Sequence, residues 1–417
     1  MLRLKSILLG CAVLASSQEI THAQEEGKRI GYIEVQTQGR NSPKGLAPRF
    51  SYMHSQGEGI RIDFDLLGSE EPILAYRIRH CNADWSISSL SPIEYLIGFD
   101  GNELPYPTSS RSTLQPYVHY SLELPNEQVQ FKHSGNYIVE IYDSSEPDTP
   151  VATIPFAVTE QLTEVKAEQT TQTWVDARAK HQQVNVEVST RGLQINRAEE
   201  EIKIVVLQNG RWDNAQKLSV PSSQTLGTLR YDMNRGALFA AGNEYHKLEH
   251  LTDRGAGMGI DRIWVEDGLH ALGLYPQRMR ARDSYLYEED RNGRSIVRSL
   301  QTDVPEVEAD YHLVHFSYYA PPLASGRIVL EGQCFAHLPL EERTLRYEAA
   351  SGSYHAEVLL KMGYQEYQYL YLPEGAQTLS STETEGNHYQ TSNDYTVLVY
   401  LRSPRDRADR LIAVAEL

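Results

Sequence analysis

Apolar and polar residues alternate with a period of two along most of this chain. Leu74, Tyr76, Ile78 and His80 point one way, and Ala75, Arg77, Arg79 and Cys81 the other. The same pattern gives faces at Val118, Tyr120, Leu122 and Leu124, at Tyr137, Val139 and Ile141, and at Val184, Val186 and Val188. It returns at Tyr354, Ala356, Val358 and Leu360, and again at Tyr395, Val397, Val399 and Leu401. Successive side chains of a strand point to opposite faces, so this alternation predicts half-buried strands of antiparallel sheets. Runs with helical period are scarce. Asn209-Gly210 predicts a two-residue hairpin, because both central residues of such a turn take positive φ, and Ser351-Gly352-Ser353 separates two further strands. In Ser134-Gly135-Asn136-Tyr137 a glycine turn precedes a tyrosine whose hydroxyl can bond back to the corner backbone, as in immunoglobulin-like sandwiches. The prediction is an all-β protein of two to three immunoglobulin-like antiparallel β-sandwich domains in tandem.

Polar stretches at Thr159–Gln172 and Ser299–Glu308 are linker candidates and set the expected domains: 24–160, 161–304 and 305–417. One helical turn is predicted at Ser91-Pro92-Ile93-Glu94, with Ser at the N-cap, Pro first in the helix, Glu completing a capping box and Gly98 as the exit. Composition supports strands: the chain has 26 Tyr, with 28 Gly and 19 Pro as punctuation.

The N-terminus changes the setting. Arg3 and Lys5 precede the apolar run Ser6–Ser17, and Thr21-His22-Ala23 offers small residues for cleavage between Ala23 and Gln24. This predicts a secretory signal peptide over 1–23 and an exported mature chain. Leu8-Leu9-Gly10-Cys11 offers an alternative, a lipoprotein box, with few apolar residues ahead of it. The formal charge of −17 argues against nucleic-acid partners and anionic lipid. No later segment reads as a spanning helix, and the short, unevenly spaced strands read as soluble and not as a membrane barrel.

Candidate chemistry is thin. Gly255–Gly259 is glycine-rich but lacks the spacing and the strand–helix frame of a phosphate loop. His312 and His315 are an odd number of residues apart on a strand, hence on opposite faces, so they form no joint metal site. Asp63 and Asp65 share a face and could be an acid–base pair, but read better as a solvated polar face opposite Ile62, Phe64 and Leu66. Tyr367, Tyr369 and Tyr371 line one strand face, which is either cross-strand packing or a binding ladder for glycans. Cys81 and Cys334 read as buried thiols, with an interdomain disulfide as the alternative. No catalytic residue, metal site or cofactor is expected.

Several stretches go beyond pattern. Tyr76–Trp85 contains His80-Cys81-Asn82-Ala83-Asp84-Trp85 and leads into Ser91–Phe99. Tyr117–Tyr120, Leu124–Asn126 and Ser134–Tyr137 follow, then Glu385-Gly386-Asn387-His388-Tyr389, Thr391–Tyr400 with Asn393 and Tyr395, and Asp406-Arg407-Ala408-Asp409-Arg410-Leu411-Ile412. Together these resemble the type IX secretion system plug protein family of Bacteroidetes across nearly all of the mature chain. Ala408 departs from the aromatic expected there. The resemblance implies a periplasmic, non-catalytic protein at the inner face of the outer membrane. It would occlude the giant β-barrel translocon of that system, as a monomer within a hetero-complex. The alternative is a periplasmic or surface glycan-binding sandwich. His80, Cys81, Asn82, Asp84, Trp85, Asn387, Asn393, Tyr395, Arg407, Asp409 and Arg410 are the motif residues expected to serve structure or partner contact. Asn82 and Asp84 would shape a tight corner by bonding their own backbone. Trp85 would anchor it in the core, with His80 a satisfied core residue beside Ile78.

Overall fold

A computed structural model describes residues 29–39, 49–51 and 57–417. The signal segment, its Ala23–Gln24 cleavage point and Cys11 lie outside the described residues. The structure is all-β, with strands in antiparallel sheets stacked as three sandwiches.

In the first sandwich one sheet runs, in spatial order, Ile30–Gln38, Gly59–Leu67, Tyr117–Leu124 and Thr108–Ser109. The facing sheet runs Arg49–Ser51, Pro150–Thr159, Gly135–Asp143, Leu74–Cys81 and Asn102–Glu103. The predicted alternating faces meet between them, with Ile62, Phe64, Tyr120 and Leu122 against Tyr76, Ile78, Tyr137 and Ile154. Tyr137 Oη donates to His133 O at 2.6 Å, which makes the predicted corner. The capping box also forms: the Glu94 carboxylate accepts from Ser91 N at 2.8 Å and from Ser91 Oγ at 2.7 Å. Gly98 has φ +117°, and a Cβ there would lie 1.9 Å from Gln128 O, so only glycine fits.

The second sandwich packs Val165–Thr170, His181–Ser189, Thr228–Tyr231, Ser223–Thr225 and Ala237–Ala240 against a sheet ordered Arg211–Leu218, Ile202–Gln208, Tyr395–Leu401 and Arg410–Glu416. Asn209 and Gly210, at φ +53° and +71°, make the predicted hairpin turn. The third sandwich holds His246–His250, Gly363–Leu372, Ser295–Val297 and Arg327–Glu331 in one layer. Its other layer is built on Ile260–Glu266, Leu269–Leu274, Tyr311–Tyr319, Ser353–Lys361 and Arg346–Glu348.

This pairing corrects the expected contiguous domains. The last two strands belong to the second sandwich: Ile202 pairs with Leu401 and Gln208 with Tyr395, and Val397, Val399 and Ile412 share a core with Val184 and Val206. The third sandwich is therefore an insertion within the second, not a C-terminal domain over 305–417. Tyr395–Leu401 is buried on both faces, as a central strand is, and such a strand cannot end a separate polar-edged domain. The linkers are corrected too. Val165–Thr170 is a paired strand, and the second linker holds a helical turn, Pro305–Glu308, with Val307 buried.

Candidate functional site

The motif residues gather at the joints between sandwiches. Leu74–Cys81 ends in a tight corner where Asn82 N donates to Ser86 O at 2.8 Å and Trp85, at φ +66°, donates its N–H to Asn82 O at 2.9 Å. Asp84 Oδ1 accepts from Ser86 N at 3.0 Å and Ser86 Oγ at 2.6 Å, a local turn of the kind short acidic side chains favour. His80 is buried with Nε2 at 3.0 Å from Ser134 O and its ring edge-on to Tyr137 at 4.9 Å. Burial pulls its pKa down to about 4. A Cβ on Gly135 would lie 2.5 Å from His80 Nε2, which ties the glycine to the histidine.

The corner faces the second sandwich. Buried Asp409 accepts from Ala83 N at 2.9 Å, and Lys203 Nζ reaches both its oxygens at 2.9 Å. Asp409 N donates to Asn82 Oδ1 at 3.2 Å. Asn136 joins the set, donating to Asn82 O at 3.1 Å and accepting from Tyr400 Oη at 2.7 Å. Behind this polar knot runs an apolar seam of Ala83 and Ala157 against Val205, Leu207, Leu398, Tyr400 and Leu411. Trp85 sits in this joint, edge-on to Trp212 at 4.9 Å, and not in the core of its own sandwich as expected. Cys81 packs beside it. Arg407 bonds Glu94 at 2.7 Å, Arg410 pairs with Glu160, and Glu160 N donates to Leu411 O at 3.0 Å. Ala408 is buried between them at 1% exposure.

The remaining motif residues lie where the chain crosses twice between the second sandwich and the third: they fasten the crossing segments to the second sandwich and to each other, and Tyr395 itself bonds within the second sandwich. Asn393 Nδ2 donates to Gln182 Oε1 at 2.9 Å and Ala241 O at 2.8 Å, and Tyr395 Oη donates to Gln182 Oε1 at 2.6 Å. Asn387 Oδ1 accepts from Gly242 N at 2.9 Å and Ser381 Oγ at 2.7 Å. Burial works to raise the pKa of Glu385, but Arg280 and His246 outweigh it and hold it down to about 2.

A third joint, between the first and third sandwiches, escaped the sequence reading. Asp65 is fully buried, which corrects the view of Asp63 and Asp65 as a solvated face. Its carboxylate accepts from Lys361 Nζ at 2.5 Å and Tyr311 Oη at 2.6 Å, both from the third sandwich, and lies 2.7 Å from His119 Nδ1. Lys361 Nζ also donates to Glu306 O at 2.7 Å and sits 4.2 Å from the Tyr117 ring centre. Asp65 and His119 face each other in the strand register, the one signal that could have exposed the site.

His315 lies 3.0 Å from Glu266 and 3.4 Å from Glu357, while His312 is buried 2.7 Å from His250 on the other side of its sheet, so the two histidines do not meet. Among the described residues no three His, Cys, Asp or Glu side chains are grouped to hold a metal ion. The tyrosine stripe fails as a binding ladder, because Tyr367 and Tyr369 are buried at 2% and 0% exposure in the third core. Cys81 and Cys334 are free buried thiols, in the first joint and the third core respectively, so the disulfide alternative does not form. No described helix is long and apolar enough to cross a membrane.

Fold and joints thus define an all-β protein of three braced sandwiches whose polar motifs lock domains together. The family described as type 9 secretion system plug protein, 1st domain, matches residues 33–160. The crystal structure of a hypothetical protein from Parabacteroides merdae is similar over 96% of this chain and 100% of its own, with 35% identity and a TM-score of 0.90. No curated protein matches. The chain belongs to the type IX secretion system plug protein family, and its role lies in type IX secretion.

Proposed function

We propose that this protein is a non-catalytic plug that occludes the periplasmic opening of the giant outer membrane β-barrel translocon of the type IX system. It works in the periplasm, at the inner face of the outer membrane, as one copy within a hetero-complex, and needs no cofactor. The supporting observation is the mutual bracing of three sandwiches. The motif residues of the family are spent on joints, which makes a broad body that keeps its shape under load, as a stopper requires. Three buried carboxylates stand at those joints with their cations: Asp409 with Lys203, Glu385 with Arg280, Asp65 with Lys361. Release then needs a binding energy that differs between the free and engaged translocon.

Deleting the gene in an otherwise intact cell leaves an open conduit on this reading, and large dyes or antibiotics enter faster. Unchanged uptake in the deletion strain, with the translocon still present, overturns it.

A further inference from the structure

We infer that the joint between the first and third sandwiches is a latch that opens, and that the joint between the first and second is the hinge about which it opens. Covalent layout comes first. The chain passes from the first sandwich to the second at 159–165, and between the second and third at 240–246 and 372–395, but never directly between the first and third. That contact can part without disturbing any strand connection.

Composition of the joints comes second. The hinge has an apolar seam and the tryptophan pair, while backbone bonds cross both joints, Glu160 N to Leu411 O at 3.0 Å in the hinge and Arg111 N to Val307 O at 2.9 Å in the latch. Among the described residues no buried apolar cluster draws on both the first and third sandwiches. The centre of that contact is an ion pair, Lys361 with Asp65, ringed by the tyrosines 32, 117 and 311 and by His119. Around it stand Asp63, Glu306 and Asp310, the last accepting from Leu114 N at 2.7 Å and Gln115 N at 3.1 Å. A desolvated ion pair gains its attraction at the cost of two hydration shells, so much of what the closed latch gains is returned by hydration on opening. An apolar seam has no such return on opening. A cavity of about 130 Å³, lined in part by Arg61, Asp63, His119 and Glu306, lies beside the pair and leaves water a place to enter.

For a plug the consequence is a stopper that changes shape: with the latch open, the first sandwich swings on the second and the profile that fits the mouth is lost. That consequence rests on the plug reading. The motion does not, and is measured in the purified full-length protein without any translocon.

Spin labels at Glu70→Cys and Glu357→Cys report the latch, and labels at Glu70→Cys and Gln224→Cys report the hinge, Cys81 and Cys334 being buried. Lys361→Ala should move the first–third distance distribution to longer, broader values while the first–second distribution stays narrow. Where Lys361→Ala does not fold, the isosteric Asp65→Asn should give the same shift. Replacing both charges together, Asp65→Leu with Lys361→Met, should restore a single short distance. Unchanged first–third distances in the charge variants overturn the latch. So does equal broadening of both pairs, which would mean that the three sandwiches loosen as one body.

Discussion

Two joints of this molecule do the same job with opposite chemistry. Between the first and second sandwiches, Ala83, Ala157, Leu207, Leu398 and Tyr400 form a dry seam, and the cations of the pairs beside it stay near water, with Lys203 42% exposed at its side chain although its partner Asp409 is buried. Between the first and third, the side chains of Lys361 and Asp65 are 2% and 0% exposed, and tyrosine rings fill the space that leucine and valine fill elsewhere. The apolar joint is favourable in proportion to the area it removes from water. The charged joint is favourable only while every partner is in place. The family stretches around His80–Trp85 and Asp406–Ile412 mark the first joint, and the stretch Tyr117–Tyr120 reaches the second through Tyr117 and His119.

The largest effect should come from breaking the charged joint on one side. Lys361→Ala leaves the buried Asp65 carboxylate without its cation and should cost about 3–5 kcal/mol in denaturant melts. Next, Leu207→Ala in the dry seam should cost about 2–4 kcal/mol, with no added salt dependence. The double replacement Asp65→Leu with Lys361→Met sharpens the contrast: it should come within about 1 kcal/mol of the parent or exceed it. A double variant as unstable as Lys361→Ala would show that the pair contributes net stability and would break the comparison.

A smaller effect comes from pH. Burial alone would lower the pKa of His119, but its bonds with Asp63 and Asp65 prevail and raise it above the ordinary 6.5. A histidine raised in the folded state contributes stability that is complete below the ordinary value and is lost as pH climbs through the raised one. The charged joint should therefore weaken as pH rises above the ordinary histidine value of 6.5, and His119→Gln should flatten that slope. Lys361, whose pKa burial lowers from 10.5 against the pull of Asp65, acts in the opposite sense. The smallest effect should be at the exposed capping box: Glu94→Ala removes the Ser91 bonds and the Arg407 pair at the edge of the dry joint, and should lower the midpoint of the same melts least of all.

Local features were legible in the sequence because their signals are local. Period-two faces, the Asn209-Gly210 turn, the Ser91–Glu94 box and the Tyr137 corner each lie within a few residues, and each is where the pattern puts it. The insertion of the third sandwich was not legible. Ile202–Gln208 and Tyr395–Leu401 pair across almost the whole second half of the chain, and nothing in a strand's alternation names its partner. The contiguous boundary between 304 and 305 failed there, and with it the linker at Ser299–Glu308, whose helical turn is packed under Arg111 and Tyr117. Motif residues such as Asn82 and Asp409 stood out in the sequence, but their meeting across 327 positions did not. Asp65 was misread because an aspartate on a strand face looks solvated until the neighbouring sandwich that covers it is known.

The central claim, that this chain closes a conduit by standing in it, is tested most directly by conductance of the purified translocon in a planar bilayer. Adding the protein on the periplasmic side should abolish the large steady current, and washing it out should restore it. A current that persists while the protein is demonstrably bound would contradict the account.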